Sequence, residues 1–197
     1  MFTILYAHGF ASSGNSGTPQ MLRQQLYQQG VRVLSPDLPA SPAAAMALLK
    51  QLVKTETPDL IVATSMGAFY VEQLKGVTRI LVNPSFQMSR LLTFSGMGRR
   101  EWRNKREDGE REFKVDKAMI AEFKDLEKGA FKSITAEEKA KVWGLFGDKD
   151  DHVNHQKDFA KHYGREHMRV FDGGHYLNDQ VLNREVLPLV KELLGLS

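Results

Sequence analysis

The 197-residue chain contains no cysteine, which excludes disulfide bonds and thiolate-ligated zinc sites. Its N-terminal segment has neither a basic stretch nor a long apolar one, so we expect no signal peptide. No apolar run approaches the roughly 20 residues of a membrane-spanning helix, and we expect no membrane partner. The formal charge of +3 is too small to argue for a nucleic-acid partner. The lack of cysteine also fits a reducing cytoplasm.

Apolar residues make up 42% of the chain and charged residues 26%, as is usual for a globular protein. The length predicts one domain over residues 1–197. Short apolar runs alternate with helical patterns, which predicts a mostly parallel sheet with helices on both faces, a three-layer α/β architecture. The strands are expected at 2–7, 31–34, 60–63, 79–82, 142–146 and 168–171. The helices are expected to begin at Thr18-Pro19, Ser41-Pro42, Met66, Gln156 and Val181.

Residues 86–140 interrupt this alternation and show no convincing strand. Their mixed charges between Arg99 and Lys117 include opposite signs four residues apart, which favours a solvated helix. The segment is therefore predicted to be a helical insertion that resembles a lid. An apolar cover over the site and a surface excursion against the sheet edge are equally compatible with it. The residues that would form the cover are Leu91, Leu92, Phe94, Met97 and Trp102.

The segment Ala63-Thr64-Ser65-Met66-Gly67 places a serine directly between a buried strand and a helix. This is the setting of a nucleophile elbow, in which a strained turn exposes the serine hydroxyl. The usual pattern is G-x-S-x-G, and Ala63 replaces its first glycine. The alternative is that Ser65 only caps the helix that follows it.

Two other loops supply the partners that a nucleophilic serine needs. Asp172-Gly173-Gly174-His175 follows the last strand, and its two glycines free the backbone to turn His175 toward Ser65. A turn after the preceding strand carries three aspartates. The spacing Gly-x-x-Asp-x-x-Val favours Asp150, with Asp151 second and Asp148 third.

The chain order of serine, aspartate and histidine is the order found in α/β hydrolases. His8-Gly9-Phe10 follows the first strand, where such enzymes take one backbone N–H of the oxyanion hole. We therefore expect the N–H groups of Phe10 and Met66 to form that hole. The candidate substrate contacts are His8, Gly9, Phe86 and Leu91. His152 and His155 are three residues apart but no third ligand is evident, so we expect no metal and no cofactor.

With these features the chain resembles the short YqiA/YcfP-type esterases of the α/β-hydrolase superfamily. The resemblance lies in Leu5–Ser13, Thr64–Gly67, Val82-Asn83-Pro84, the turn that carries Asp150, and Gly173-Gly174-His175. It implies hydrolysis of small carboxylic esters in a bacterial cytoplasm. It is loose between residues 86 and 140.

The predicted function is that of a serine esterase, with Ser65 as nucleophile, His175 as base and Asp150 as acid. A thioesterase or a peptidase would use the same three residues. A non-catalytic binding protein on the same fold is a further alternative, because fold does not fix function. The sequence does not indicate the oligomeric state.

Overall fold

The computed structural model describes residues 1–197. Eight strands occur in chain order: β1 (Phe2–Ala7), β2 (Val31–Leu34), β3 (Leu60–Thr64), β4 (Thr78–Val82), β5 (Gly98–Glu101), β6 (Glu112–Val115), β7 (Val142–Gly147) and β8 (Met168–Phe171). The helices are α1 (Gly17–Leu26), α2 (Pro42–Glu56), α3 (Met66–Glu72), α4 (Met88–Ser95), α5 (Lys117–Glu127), α6 (Ala136–Ala140), α7 (Gln156–Tyr163), α8 (Asp179–Val181) and α9 (Leu187–Leu194). A turn of π-helix, Leu182–Val186, joins α8 to α9.

Six strands form one parallel sheet in the order β2-β1-β3-β4-β7-β8. Strand β1 shows why this sheet is buried on both sides. Its residues Leu5 and Ala7 belong to a core that includes side chains of α2, α3, α5 and α7. Ile4 and Tyr6 point to the opposite core, which includes side chains of α1 and α9. The predicted three-layer α/β fold is thereby confirmed, and its parallel strands bring all their carboxyl ends to one edge.

Most predicted boundaries agree with the structure within two residues. The cap at Ser41 is confirmed, since its side chain accepts a hydrogen bond from the Ala44 N–H and Pro42 opens α2. The cap predicted at Thr18 is wrong, because α1 begins at Gly17 with Ser16 as its N-cap residue. The terminal helix begins two residues before the predicted Val181.

The insertion between β4 and β7 contains helices α4, α5 and α6, but it also contains a two-stranded antiparallel sheet. The expectation of no strand there is wrong, as is that of a solvated helix across the charged segment. Strands β5 and β6 pair from Gly98 with Val115 to Glu101 with Glu112. Tertiary packing explains the difference, because Phe113 and Val115 alternate with exposed residues and enter the core beside α5. No helix of the chain is both long and apolar enough to cross a bilayer.

Candidate active site

Ser65 lies in the turn between β3 and α3 with φ 51° and ψ −115°, a conformation that few residues other than glycine adopt. The turn is possible because small residues surround it. A Cβ on Gly67 would lie 2.2 Å from the carbonyl oxygen of Ala7, so α3 can approach β1 this closely only with glycine there. A Cβ on Gly9 would lie 3.3 Å from the Ser65 Cβ. The strained serine is thus held at the carboxyl edge of the sheet.

Three side chains from separate loops form a hydrogen-bonded row at this edge. The Ser65 Oγ lies 3.0 Å from Nε2 of His175. The Nδ1 of His175 lies 2.8 Å from Oδ2 of Asp150. The side chains of His175 and Asp150 are only 8% and 4% exposed, so water competes weakly for these contacts. The structure brings together all three residues that the sequence nominated.

The three aspartates after β7 have different surroundings. The second oxygen of Asp150, Oδ1, accepts hydrogen bonds from the backbone N–H groups of His152 and Val153, at 2.9 and 3.0 Å. Asp148 instead accepts a hydrogen bond from the N–H of Gly173. The side chain of Asp151 is 88% exposed. Only Asp150 is therefore in a position to orient the imidazole.

The contacts of Asp150 keep it ionised. Its burial raises the pKa of the carboxyl group, but the hydrogen bond with His175 and the two backbone N–H groups outweigh this effect, so that the pKa lies below its usual value. The carboxylate can then accept a hydrogen bond from the Nδ1–H of His175, so that Nε2, which faces Ser65, carries no proton. That is the tautomer in which a histidine can act as a base toward a hydroxyl group.

Asn83 joins the loop that carries the histidine to the loop that carries the aspartate. Its side-chain amide donates hydrogen bonds to the carbonyl oxygens of Gly174 and His175, each at 3.0 Å. Its Oδ1 accepts one from the N–H of Gly147, at 2.8 Å. The residue is 3% exposed and has φ 45°, a conformation that asparagine tolerates better than most residues. In the sequence Asn83 stands out only within Val82-Asn83-Pro84, one of the segments of the family resemblance, and no role in the site was predicted for it.

Phe10 and Met66, whose N–H groups are predicted to form the oxyanion hole, belong to two segments next to Ser65. Met66 is the first residue of α3, where a backbone N–H has no partner within the helix. Phe10 belongs to the loop after β1, and it lines the same cleft as Ser65 and His175. Their roles as oxyanion donors stay a prediction.

His8 does not reach the cleft, and the expectation that it contacts substrate is corrected. The residue is fully buried. Its Nε2 accepts a hydrogen bond from the Leu38 N–H, and its Nδ1 is 2.9 Å from the carbonyl oxygen of Gly9. Burial lowers the pKa of His8 to about 4. The neutral imidazole of His8 therefore joins the loop after β1 to the segment that contains Leu38.

A cleft of about 400 Å³ opens over Ser65. Gly9 and Leu91, two of the predicted substrate contacts, line it. Phe86 does not line it, because its ring is buried against Phe131 and His155. Eight of the twenty residues that line the cleft are hydrophobic, so most of its lining is polar or glycine.

Of the two alternatives for the insertion, an apolar cover formed by the five named residues is absent from this cleft. Of its five proposed members only Leu91 lines it. Leu92 is buried in the core and Trp102 packs on Phe113, while Phe94 and Met97 are 79% and 55% exposed. The hairpin of β5 and β6 instead contributes Arg103 and Asn104 to the cleft. Four further residues line it that were not among the expected site residues, two at strand ends and two in loops: Tyr6, Thr64, His152 and Tyr176.

No three histidine, aspartate or glutamate side chains are grouped as ligands for a metal ion. Nδ1 of His155, one of the two histidines considered as ligands, bonds to Asp158 instead, at 2.9 Å. At the edge of the sheet a hydroxyl group, an imidazole and a carboxylate lie in a hydrogen-bonded row. Such an arrangement is chemically capable of acyl transfer through the hydroxyl oxygen.

Comparison with known proteins agrees with the fold. Residues 3–187 match the family described as Uncharacterised protein family (UPF0227). Among solved structures, alpha/beta hydrolase domain-containing protein 10 from mouse has a TM-score of 0.67 and 12% identity, with coverage of 98% of this chain and 89% of that chain. Est1E from Butyrivibrio proteoclasticus, with ferulic acid bound, has a TM-score of 0.67 and 16% identity, with coverage of 99% of this chain and 88% of that chain. The ydeN gene product from B. subtilis has a TM-score of 0.63 and 19% identity, covering 99% and 97%.

Proposed function

The chain belongs to the uncharacterised protein family UPF0227, which corresponds to the YqiA/YcfP-type resemblance, and from this membership and its α/β-hydrolase fold we propose that it is a serine hydrolase of carboxylic esters. One observation carries the proposal. The Ser65 hydroxyl, on a strained turn, lies 3.0 Å from an imidazole whose other nitrogen lies 2.8 Å from a buried carboxylate. This is the geometry that an activated serine requires.

In the proposed reaction, the Ser65 Oγ attacks the ester carbonyl carbon while Nε2 of His175 takes the hydroxyl proton. Asp150 stabilises the imidazolium that forms. The N–H groups of Phe10 and Met66 stabilise the oxyanion of the tetrahedral intermediate. The intermediate collapses as the imidazolium protonates the leaving alcohol. Water, deprotonated by the same imidazole, then hydrolyses the acyl-serine and restores Ser65.

The cleft supports small and partly polar esters as substrates. Its volume of about 400 Å³ is at the lower end of the range for ligand pockets. Hydroxyl groups line one side, and the Tyr6 hydroxyl lies 3.0 Å from that of Thr64. These groups favour acyl or alcohol parts that can accept hydrogen bonds. We further propose that residues 1–197 act as one catalytic domain, in which the insertion lines the cleft.

The first test is covalent labelling with a fluorophosphonate, followed by mapping of the adduct by mass spectrometry. We expect one adduct, on Ser65, which is lost in Ser65→Ala and His175→Ala. Ser95→Ala is the matched control, because Ser95 is exposed on α4 and outside the cleft, and it should label at the wild-type rate. Folded wild-type protein that does not react would refute the proposal and favour a binding protein on this fold.

The second test determines which of the neighbouring aspartates, Asp150 or Asp151, supports catalysis. Asp150→Asn should lower kcat for p-nitrophenyl acetate by about 10³–10⁴-fold, because the amide favours the wrong imidazole tautomer. Asp151→Asn removes the adjacent exposed carboxylate and should change kcat by less than about twofold. Equal losses in the two variants would refute the assigned role of Asp150. A matched panel of esters, thioesters and amides of one acyl group would decide between esterase, thioesterase and peptidase.

A further inference from the structure

The tip of the hairpin formed by β5 and β6 packs along the loop that follows β1. We call residues 102–106 the hairpin tip and residues 9–13 the oxyanion loop. The backbone N–H of Arg103 donates a hydrogen bond to the carbonyl oxygen of Ala11, at 2.7 Å. The side-chain amide of Asn104 donates to the hydroxyl oxygen of Ser12, at 3.2 Å, and the Ser13 hydroxyl donates to the carbonyl oxygen of Lys105, at 3.1 Å.

Phe10, whose N–H is the proposed oxyanion donor, is held by the hairpin at two points. The guanidinium group of Arg103 donates a hydrogen bond to the carbonyl oxygen of Phe10. The ring of Phe10 meets the ring of Phe113, on β6, edge to face with centroids 5.3 Å apart. Residues of the insertion make both of these contacts.

The oxyanion loop needs such support because its own sequence constrains it little. Gly9 has no side chain, which leaves its backbone free to rotate, and any Cβ there would press on the Cβ of Ser65 at 3.3 Å. Ala11 is held at φ 58°, a left-handed conformation that is sterically unfavourable for alanine. A strained alanine persists only where neighbouring contacts fix it. The hydrogen bond from the Arg103 N–H is one such contact.

Asp37 forms a second bridge, between the hairpin and Gly14, the residue directly after the oxyanion loop. Its Oδ1 accepts a hydrogen bond from the N–H of Gly14, at 2.8 Å, and its Oδ2 accepts one from the N–H of Glu107, at 2.6 Å. The guanidinium of Arg103 also lies 5.0 Å from the centre of the Tyr176 ring, next to His175 in sequence. The hairpin therefore contacts the segments on both sides of the serine.

Resting on the proposed function, we propose that Arg103 is a positioning residue, which aims the Phe10 N–H at the oxyanion by fixing the Phe10 carbonyl. The side chain is exposed and forms no ion pair with a carboxylate, so global stability depends little on it. Arg103 therefore stabilises the tetrahedral intermediate, in which the oxyanion exists, and has little effect on the binding of substrate. Loss of a single oxyanion donor costs about 10²–10³-fold in kcat, and a displaced donor costs less than a deleted one.

The test compares Arg103→Ala with Arg99→Ala. Arg99 lies on the same hairpin, but its guanidinium pairs with Glu112 at 2.7 Å on the exposed side. With active sites titrated by the fluorophosphonate, Arg103→Ala should lower kcat for p-nitrophenyl acetate by about 10–100-fold and change KM by less than about threefold. Arg99→Ala should leave both constants within about twofold of wild type. Arg103→Lys, which keeps one cationic donor, should recover part of the loss.

Inhibition by an aryl trifluoromethyl ketone supplies the readout that a purely structural role would not change. The ketone forms a hemiketal with the serine, and its oxyanion occupies the same hole. In Arg103→Ala its inhibition constant should rise by about the factor by which kcat/KM falls. The thermal midpoint should stay close to that of wild type.

Three results would overturn the inference. They are unchanged kcat and KM in Arg103→Ala; a higher KM with unchanged kcat in that variant, which would assign Arg103 to substrate binding; and an equal loss of kcat in Arg99→Ala. Failure of the proposed function has a different signature. In that case the wild-type protein itself does not react with the fluorophosphonate.

Discussion

Asn83→Asp is the substitution that best tests how the site is assembled. Aspartate has nearly the same shape as asparagine and also tolerates φ 45°. It keeps an acceptor for the Gly147 N–H but cannot donate to the carbonyl oxygens of Gly174 and His175. At neutral pH it also places a charged oxygen about where the amide nitrogen now lies, 3.0 Å from both carbonyl oxygens.

The magnitude follows from these contacts. Two hydrogen bonds are lost at about 1 kcal/mol each, and the two carbonyl groups lose their partner beside a buried negative charge, so we expect a loss of about 3–4 kcal/mol in the free energy of unfolding. The backbone of His175 is then released from Asn83. Because the imidazole must stay near 3 Å from Ser65, we expect kcat to fall by about 10–100-fold.

Urea unfolding at pH 7 would measure the stability, and p-nitrophenyl acetate turnover would measure the activity. Asn183→Asp is the matched control, because this exposed amide bonds a single backbone carbonyl, that of Asp179. It should change stability by less than about 0.5 kcal/mol. Acidification should partly restore the stability of Asn83→Asp relative to wild type, since a protonated carboxyl group can donate one hydrogen bond. Wild-type stability and turnover in Asn83→Asp at pH 7 would refute the reasoning.

Gly67→Ala should destabilise the fold by about 2–4 kcal/mol, because its Cβ would lie 2.2 Å from the Ala7 carbonyl oxygen, whereas Gly17→Ala, whose Cβ meets nothing within 4 Å, should be nearly neutral in the same urea titration. A Gly67→Ala protein as stable as wild type would contradict the close approach of α3 to β1. The folded-state pKa of His8, about 4, lies below the ordinary value of 6.5, so the unfolded chain binds the extra proton first. Stability from this residue is therefore complete above about pH 6.5 and is lost as the pH falls toward 4, by about 3 kcal/mol in total. His8→Gln, which can still accept from the Leu38 N–H, should flatten this pH dependence of unfolding, and an unchanged slope would refute the assignment.

Local patterns accounted for the central sheet and for three site residues. Buried strands of a parallel sheet are continuous apolar runs, and the runs over residues 2–7, 31–34 and 168–171 coincide with strands of the structure. The elbow at Ser65 depends on small neighbours in sequence, and the turn of Asp150 on a short local spacing. Because parallel strands end at one edge, residues that follow strands meet there, and Ser65, Asp150 and His175 do so.

Tertiary structure alone decided what depends on contacts between distant segments. The hairpin of β5 and β6 was missed because four-residue strands rich in charge carry little periodic signal, and burial of Phe113 and Val115 stabilises it. Asn83 and Arg103 act on backbone groups about ninety residues away in the chain, and no local pattern encodes such pairs. His8 was wrongly expected in the cleft, since only packing shows which side of a loop faces the core. The sequence by itself therefore determined which residues could do the chemistry, and the packing of the insertion and the loops decided how those residues are held.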